Sequence, residues 1–559
     1  MVSGVNLLLH LRFFFLCTSC SPSVHQLALA SVTMATHDVE KQFATDPKAD
    51  LEQPSPLRSP SVDDGDVTEK SVIESEDEDE AMKAMRAHGG EPIEIDEATN
   101  KRLLRTIDWH LMPIMCVCYG MNYLDKTTIS YASIMGLQED LRLKGDNYQW
   151  LSSMFYFGYI AWEYPTSRLL QHMPLGKYSG LNIVIWGTIL ACFAGVSNFG
   201  GAIAIRFFLG AFEAAVTPGF ALLTSQWYTK HEQGLRTGIW FSFNGWAQIF
   251  GGIIAYGIAR GTRENGSSID PWKIVFMLWG LVTICLGCIF LWVIPDSQLN
   301  ARWLSKEDRI LAIERVRVNQ QGIGNKHFKR HQLKEALTDP LTWAYVFYAL
   351  VADIPNGGIS NFFSQLIRSF GFTSEESLLY GTPGGAVEIL ALLICGWAGD
   401  RYRNRILVSS SGLILAMLGM LLIICLPISD RGGRLAGYYL TQASPCPFVA
   451  LLSLISTNVA GYTKKTTVAA LYLIAYCAGN IIGPQTFRPG DAPRFVSAEI
   501  TIVVCWGLCL VDLAFIWWWC RRENARKARE RGVEGYVKRK NVEWLDLTDR
   551  ENVEFVYSL

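Results

Sequence analysis

Between about residue 108 and residue 520 the chain alternates long apolar runs with short polar breaks. A run of about 20 apolar residues is what a helix needs to cross the hydrocarbon of a bilayer. By run and breaker, the pattern predicts spans at 108–130, 147–170, 178–198, 201–225, 237–259 and 272–294. A hydrophilic stretch from Pro295 to Pro340 follows, and then spans at 341–366, 378–398, 405–427, 436–459, 466–487 and 498–520. Twelve spans split six and six by a long polar loop predict two related bundles side by side. The expected fold is therefore an all-α membrane protein of 12 transmembrane helices. Residues 101–294 form the first six-helix bundle, 295–340 a cytoplasmic central loop, 341–520 the second bundle and 521–559 a basic tail.

Charge sets the expected orientation. With the N-terminus inside, inner loops and tail hold about 27 Lys and Arg against about 10 outside, which places both termini in the cytoplasm. Within the central loop, W-L-S-K-E-D-R-I-L-A-I-E-R-V-R-V has Ser305 and Asp308 in capping positions, so an amphipathic helix on the inner membrane face is expected. Asn265-Gly266-Ser267 is an N-x-S site in a short outer loop, too short to make glycosylation a firm expectation.

Both ends are hydrophilic in composition. Residues 35–100 are rich in Ser, Pro, Asp and Glu and carry E-S-E-D-E-D-E, so disorder is expected across 1–100. Residues 1–33 hold a short apolar run broken by His10 and Arg12, while Met34 opens an ordinary cytosolic start. An over-extended gene start is the reading, with a cleaved signal as the weaker alternative. The overall composition, 50% hydrophobic and 18% charged, averages a greasy middle with these polar ends, and the net charge of −2 says little about partners. Cys285 and Cys288 fall mid-span with no His or carboxylate nearby, which reads as a buried thiol pair rather than a metal or redox site. Neither a nucleophile–base set, a phosphate-binding glycine loop nor a metal cluster is found in the sequence. An enzyme is not expected, nor is a cofactor or a nucleic-acid partner.

Charges inside the spans carry the candidate chemistry. The fourth span reads I-R-F-F-L-G-A-F-E-A-A-V-T-P from Ile205 to Pro218. A charge at the centre of a spanning helix costs roughly 2.5–3.5 kcal/mol on insertion scales, so Arg206 and Glu213 should face a bundle interior or a wet cavity. Seven residues make almost two turns, which puts both side chains on one face about 10 Å apart. That is either a structural ion pair or a functional site. In the first span, Asp125 and Lys126 are adjacent, about 100° apart on a helix, so the two should not point at one partner. They read either as a snorkelling pair at the membrane edge or as a titrating acid beside an anion-binding cation. Asn122, Asn244, Gln248, Asn361, Tyr476 and Asn480 are polar residues within spans that interhelical hydrogen bonding explains as well as substrate contact does. Glu163 near an inner end is expected to pair with Arg168, while Glu388 and Asp512 have no assigned role.

At the inner junction of spans eight and nine stands G-W-A-G-D-R-Y-R-N-R, with Gly396, Asp400, Arg401 and Arg405. Its bland reading is a positive-inside loop. Alternatively, glycine permits close helix approach while the Asp and Arg set supplies ion pairs that latch a gate.

This G-x-x-x-D-R-x-x-x-R run resembles the loop motif of the major facilitator superfamily, although the copy expected between spans two and three, Q-H-M-P-L-G-K-Y-S-G, lacks the Asp-Arg pair. The resemblance extends over about residues 100–530 to the fungal allantoate permease family, within the anion:cation symporter branch. It is carried by N-Y-L-D-K at 122–126, Y-P-T-S-R at 164–168, R-F-F-L-G-A-F-E-A-A-V-T-P-G-F at 206–220, S-Q-W-Y at 225–228, A-G-Y-T-K-K at 460–465 and N-I-I-G-P-Q-T-F at 480–487. It implies a proton-coupled secondary transporter that imports a small organic anion (allantoate, ureidosuccinate or a carboxylate vitamin or amino-acid-like compound) by alternating access. Asp125 and Glu213 would be proton carriers, Arg206 the coupling cation and Lys126 the grip on a substrate carboxylate. Lys126 stands where bacterial and animal relatives mostly have Arg, so a point charge replaces a bidentate fork. The expected partners are the substrate anion, the proton and the lipid bilayer. The expected state is a monomer in the plasma membrane, another cellular membrane being the alternative. Efflux of a metabolite and non-transporting nutrient sensing are the rival functions.

Overall fold

The computed structural model describes residues 95–317, 329–533 and 547–559, and every described element is a helix or a connection. The expectations for residues 1–33, for the acidic segment as far as 94, for 318–328 and for 534–546 lie outside the described residues. The longer helices are α1 Glu97–Ser133, α2 Asn147–His172, α3 Leu175–Phe193, α4 Phe199–Trp227, α5 Lys230–Phe241, α6 Phe243–Asn265 and α7 Pro271–Val293. Two shorter ones follow, α8 Lys306–Arg317 and α9 Arg330–Thr338. The carboxyl half holds α10 Pro340–Ser369, α11 Thr382–Tyr402, α12 Arg405–Cys425, α13 Arg431–Asn458, α14 Tyr462–Gln485 and α15 Val496–Arg531.

Seven described helical stretches are long and apolar enough to cross a membrane. They are α4, α7, α12 to α15 and the stretch Ser374–Gly399. Others, such as α1 with Asp125 and Lys126 or α10 with Asp353, fall short because they carry the charged and amide side chains that turn inward. Large apolar residues stand exposed on the outside instead, among them Trp292, Ile394 and Val511. That is the arrangement lipid, not water, stabilises. Cys285 and Cys288 share this outer surface, so the expected buried thiol pair is corrected to two exposed cysteines. An apolar run seen without its neighbours cannot say which stripe packs and which meets lipid.

Helix starts follow capping chemistry. The Asp96 carboxylate accepts from the Thr99 amide at 3.0 Å to open α1. Asp339 accepts from the Leu341 amide, with Pro340 at the first position of α10, where its missing N–H has no partner to lose. Thr229 and Glu232 form a capping box at α5, and Gly266, at φ 65°, closes α6 in the left-handed region.

One face of the bundle, the basal face, carries the start of α1, both short helices and residues 547–559. A helix, α8, does form, with the Ser305 hydroxyl accepting from the Asp308 amide at 3.1 Å, but its apolar residues Ile310, Leu311, Ile313 and Val316 spread round it, so the expected amphipathic face is corrected to a helix without one. It lies against the amino half: Arg102 pairs with Asp308, and Arg315 with Glu232. The guanidinium of Arg102 holds the Asp308 carboxyl below the usual carboxylate range. This contact is therefore present at neutral pH and is lost as pH falls through that lowered value. On the carboxyl half, Lys464 is fully buried among three carboxylates, Glu335 at 2.9 Å, Asp339 at 2.8 Å and Asp549 at 2.7 Å. Residues 547–559 are strapped over it, with Arg550 on Asp339 and Ser558 on Asn458. Arg550 is part-exposed, and removing the fully buried cation from a set of this kind costs roughly 3–5 kcal/mol. Lys464→Met is accordingly expected to lower the melting temperature of the purified protein markedly, and an unchanged melt would contradict the assigned role of this lysine.

The far face is drawn shut by hydrogen bonds between the halves. Tyr148 donates to the Asn361 carbonyl at 2.7 Å, Gln149 to the Phe487 carbonyl at 2.7 Å and Ser153 to the Ile481 carbonyl at 2.8 Å. The Ser130 and Ser364 hydroxyls meet at 3.1 Å.

Candidate functional site

Two glycines set the geometry of the site. A Cβ on Gly210 of α4 would lie 1.9 Å from the Phe155 carbonyl oxygen, and one on Gly158 of α2 would lie 1.9 Å from that of Phe207. Only hydrogen fits at either place, so α2 and α4 touch backbone to backbone. Helix α4 also breaks just after Glu213, where Phe199–Glu213 gives way to Val216–Trp227. Pro218 has no N–H for the Ala214 carbonyl, which explains a break at this point.

The contact presses Phe155 and Tyr159 toward four charged groups. Lys126 Nζ lies 3.2 Å from Glu213 Oε1 and donates to Asn122 Oδ1 at 3.1 Å. Asp125 lies beside Glu213, and its Oδ2 accepts from the indole N–H of Trp186 at 2.7 Å. Arg206 donates weakly to the Leu151 carbonyl at 3.4 Å and sits over the Phe155 ring at 5.4 Å. The Lys126 ammonium is 5.8 Å and 5.9 Å from the rings of Phe155 and Tyr159. Adjacent residues on α1 thus do reach one partner, Glu213, against the expectation from their angular spacing. The long lysine side chain can curl back over the turn that Asp125 occupies.

Burial differs in a way that matters. Asp125 and Arg206 are 1% exposed and Glu213 0%, whereas the Lys126 side chain keeps 15%. Lys126 is therefore the cation of the set that a solute can touch. Asp125 Oδ1, Arg206 Nη1 and both Glu213 oxygens make no hydrogen bond; the Lys126–Glu213 contact is an ion pair without hydrogen-bond geometry. Buried polar atoms left so are costly in a static protein, at roughly 1–3 kcal/mol each. A set of this kind can instead take up a proton or exchange partners.

Trp186 escaped sequence reasoning, because a tryptophan in an apolar run looks like any lipid-facing or core residue. Its indole is the one hydrogen-bond donor to Asp125 in the described structure. Trp186→Phe is expected to lower the initial rate of uptake about tenfold, the effect of losing about 1.4 kcal/mol. Uptake normalised to surface protein checks it.

The other sequence candidates divide. Gln248 donates to the Gly381 carbonyl at 3.1 Å and the Tyr438 hydroxyl at 3.0 Å, joining the halves, and Asn244 one turn earlier is buried with its Oδ1 unpartnered. Asn361 gives its amide to Gly357 of its own helix, and its backbone serves the far-face seal. Asn480 bonds to Asp353 and Asn356, and the Tyr476 ring packs on Tyr156 at 6.0 Å between centroids. At the junction of α11 and α12, a Cβ on Gly396 would meet nothing within 4 Å. The close approach expected there falls in this arrangement at Gly399, against Arg405. Arg405 donates to the Ser453 hydroxyl at 2.9 Å, its backbone amide to the Leu559 carbonyl at 2.6 Å, and Arg401 is exposed. The Asp400 side chain lies outside what is described. Glu163 does not pair with Arg168 as expected; its Oε2 is buried without a hydrogen bond.

Residues 115–484 match the family model of the Major Facilitator Superfamily. The chain belongs to that superfamily. An allantoate permease of Saccharomyces cerevisiae is 38% identical over 503 residues, covering 88% of this chain and 92% of the permease. A transporter of Schizosaccharomyces pombe is 43% identical over 471 residues, covering 83% of this chain and 91% of its own. The thiamine pathway transporter of Saccharomyces cerevisiae is 32% identical over 539 residues, covering 95% and 100%. Among solved structures, a bacterial homologue of the human lysosomal transporter Spinster superposes with a TM-score of 0.55 at 18% identity, covering 74% of this chain and 96% of that one. At that identity the likeness speaks for the fold alone. The protein is thus an all-helical, multi-pass membrane transporter and not an enzyme.

Proposed function

We propose that this transporter is a proton-coupled importer of a small organic monoanion, working by alternating access between two six-helix bundles. The twelve spans, with both termini in the cytoplasm and a plasma-membrane address, belong to the same proposal. One observation carries it: a buried cation, Arg206, and two buried acids meet a second, half-buried cation, Lys126, that is within reach of solute. With both acids ionised, Asp125, Glu213, Lys126 and Arg206 sum to zero. A bound carboxylate on Lys126 makes the set −1 and draws the cation off Glu213. One proton on Glu213 restores neutrality. Each elementary charge moved against the membrane potential costs about 2.3 kcal/mol per 100 mV, so the empty form and the form loaded with anion plus proton cross most easily. Lys126 is then the substrate grip, Glu213 and Asp125 the proton sites and Arg206 the coupling cation.

The similarity to an allantoate permease makes allantoate the first substrate to try. The test is uptake of labelled allantoate, ureidosuccinate, nicotinate, pantothenate and biotin in yeast lacking its own permeases for them, with and without a protonophore. Inward accumulation of at least one, abolished by the protonophore, is expected. Net export, or uptake indifferent to the protonophore, would contradict the proposal.

A further inference from the structure

The carboxyl half holds a buried acid that the four-group site does not use. Asp353 of α10 is 3% exposed. Its Oδ1 accepts from Asn480 at 3.2 Å and Asn356 at 3.4 Å, and its Oδ2 has no hydrogen-bond partner. Helix α14 seals it in: a Cβ on Gly479 would lie 2.8 Å from the Asp353 Cβ, and one on Gly483 would lie 2.4 Å from the Ile354 carbonyl. The titratable groups within electrostatic reach are Tyr156 of α2, Tyr348 of α10, Tyr472, Tyr476 and Cys477 of α14 and Cys509 of α15. These are phenols and thiols, and no Lys, Arg or His pairs with Asp353 among the described residues.

An ionised carboxylate so enclosed, with no countercharge, is not stable at low dielectric; the group neutralises instead. A metal cation fits poorly, because both neighbouring amides turn N–H groups, not oxygens, toward Asp353 and one free oxygen makes no ligand shell. A proton on Oδ2 fits. Tyr156, whose ring meets that of Tyr476 edge-on with centroids 6.0 Å apart, lies within electrostatic reach of both Asp353 on the carboxyl side and Glu213 on the amino side. The phenol pair therefore stands between the two acids, where the halves meet.

We propose that Asp353 is a second proton-holding site, in the carboxyl half, coupled to Glu213 across the interface through the Tyr156–Tyr476 pair. The coupling proton then has one station on each half. The inference takes its role for Glu213 from the proposed function, but the two fail separately, since the test needs no substrate.

Infrared spectra of the full chain in lipid, recorded against pH in H2O and D2O, should show a protonated-carboxyl C=O band that is missing in Asp353→Asn and displaced in frequency in Asp353→Glu. Its titration should shift in Glu213→Gln, and that shift should shrink in Tyr156→Phe. Asn closely matches Asp in shape, and the Glu variant keeps the acid if the Asn variant does not fold. Identical carboxyl bands in wild type and both Asp353 variants would overturn the site. A titration unmoved by Glu213→Gln would overturn the coupling.

Discussion

The Glu213→Gln protein is expected to bring its substrate to equilibrium but not to accumulate it. Glutamine keeps the shape of the side chain and removes the charge, so Asp125, Lys126 and Arg206 sum to +1. A bound monoanion then makes the set neutral without any proton, and the loaded form can cross on its own. One pH unit of gradient, about 1.4 kcal/mol, supports roughly tenfold accumulation in a one-proton symporter. In Glu213→Gln this should fall to about onefold per pH unit, whereas exchange of internal for external substrate persists. Uptake into vesicles with an imposed pH gradient reads both quantities. Accumulation equal to wild type would remove Glu213 from the coupling. Loss of exchange as well would point to a role in binding or folding instead.

The second large effect is steric. Valine at Gly210 would put a Cβ 1.9 Å from the Phe155 carbonyl, about 1 Å inside the closest contact such atoms make, with two methyls beyond it. Helices α2 and α4 must part, carrying Arg206 and Glu213 away from Phe155 and Lys126. A misplacement of about 1 Å at a working site costs on the order of 100-fold. Gly210→Val should therefore lose uptake by about that factor or fail to reach the membrane. Gly396→Ala is the matched control, because its Cβ meets open space, and its expression should equal wild type. Wild-type uptake by Gly210→Val would mean that this close approach does not set the site.

Much of the architecture was legible because lipid and helix period write themselves into sequence as long apolar runs. Arg206 and Glu213 stood out for the same reason, since an apolar background makes a charge conspicuous. What surrounds them was not legible. Trp186 has a polar edge only when something is placed against it, and Asp125 lies 61 positions away in the chain. Angular spacing on α1 separated Asp125 from Lys126 because it treats side chains as fixed spokes, while a lysine has four bonds to bend. Gly158 and Gly210 are small residues in sequence; their contact depends on the register of α2 on α4. Lys464 reads as one more basic residue in A-G-Y-T-K-K until Asp549, far along the chain, is seated on it. The final span also runs past 520 as one helix to Arg531, because its arginines continue a helical register beyond the apolar stretch.

The central claim is that the four-group set crosses neutral, with one proton for each monoanion. Proteoliposomes loaded with a pH dye, with the membrane potential clamped by potassium and valinomycin, measure it directly when given the labelled anion that the cells accumulate. The account predicts one proton entering per anion and an uptake rate that does not change when the clamp is set from zero to negative inside. Anion entry without proton entry, or a rate that follows the imposed potential, would contradict it.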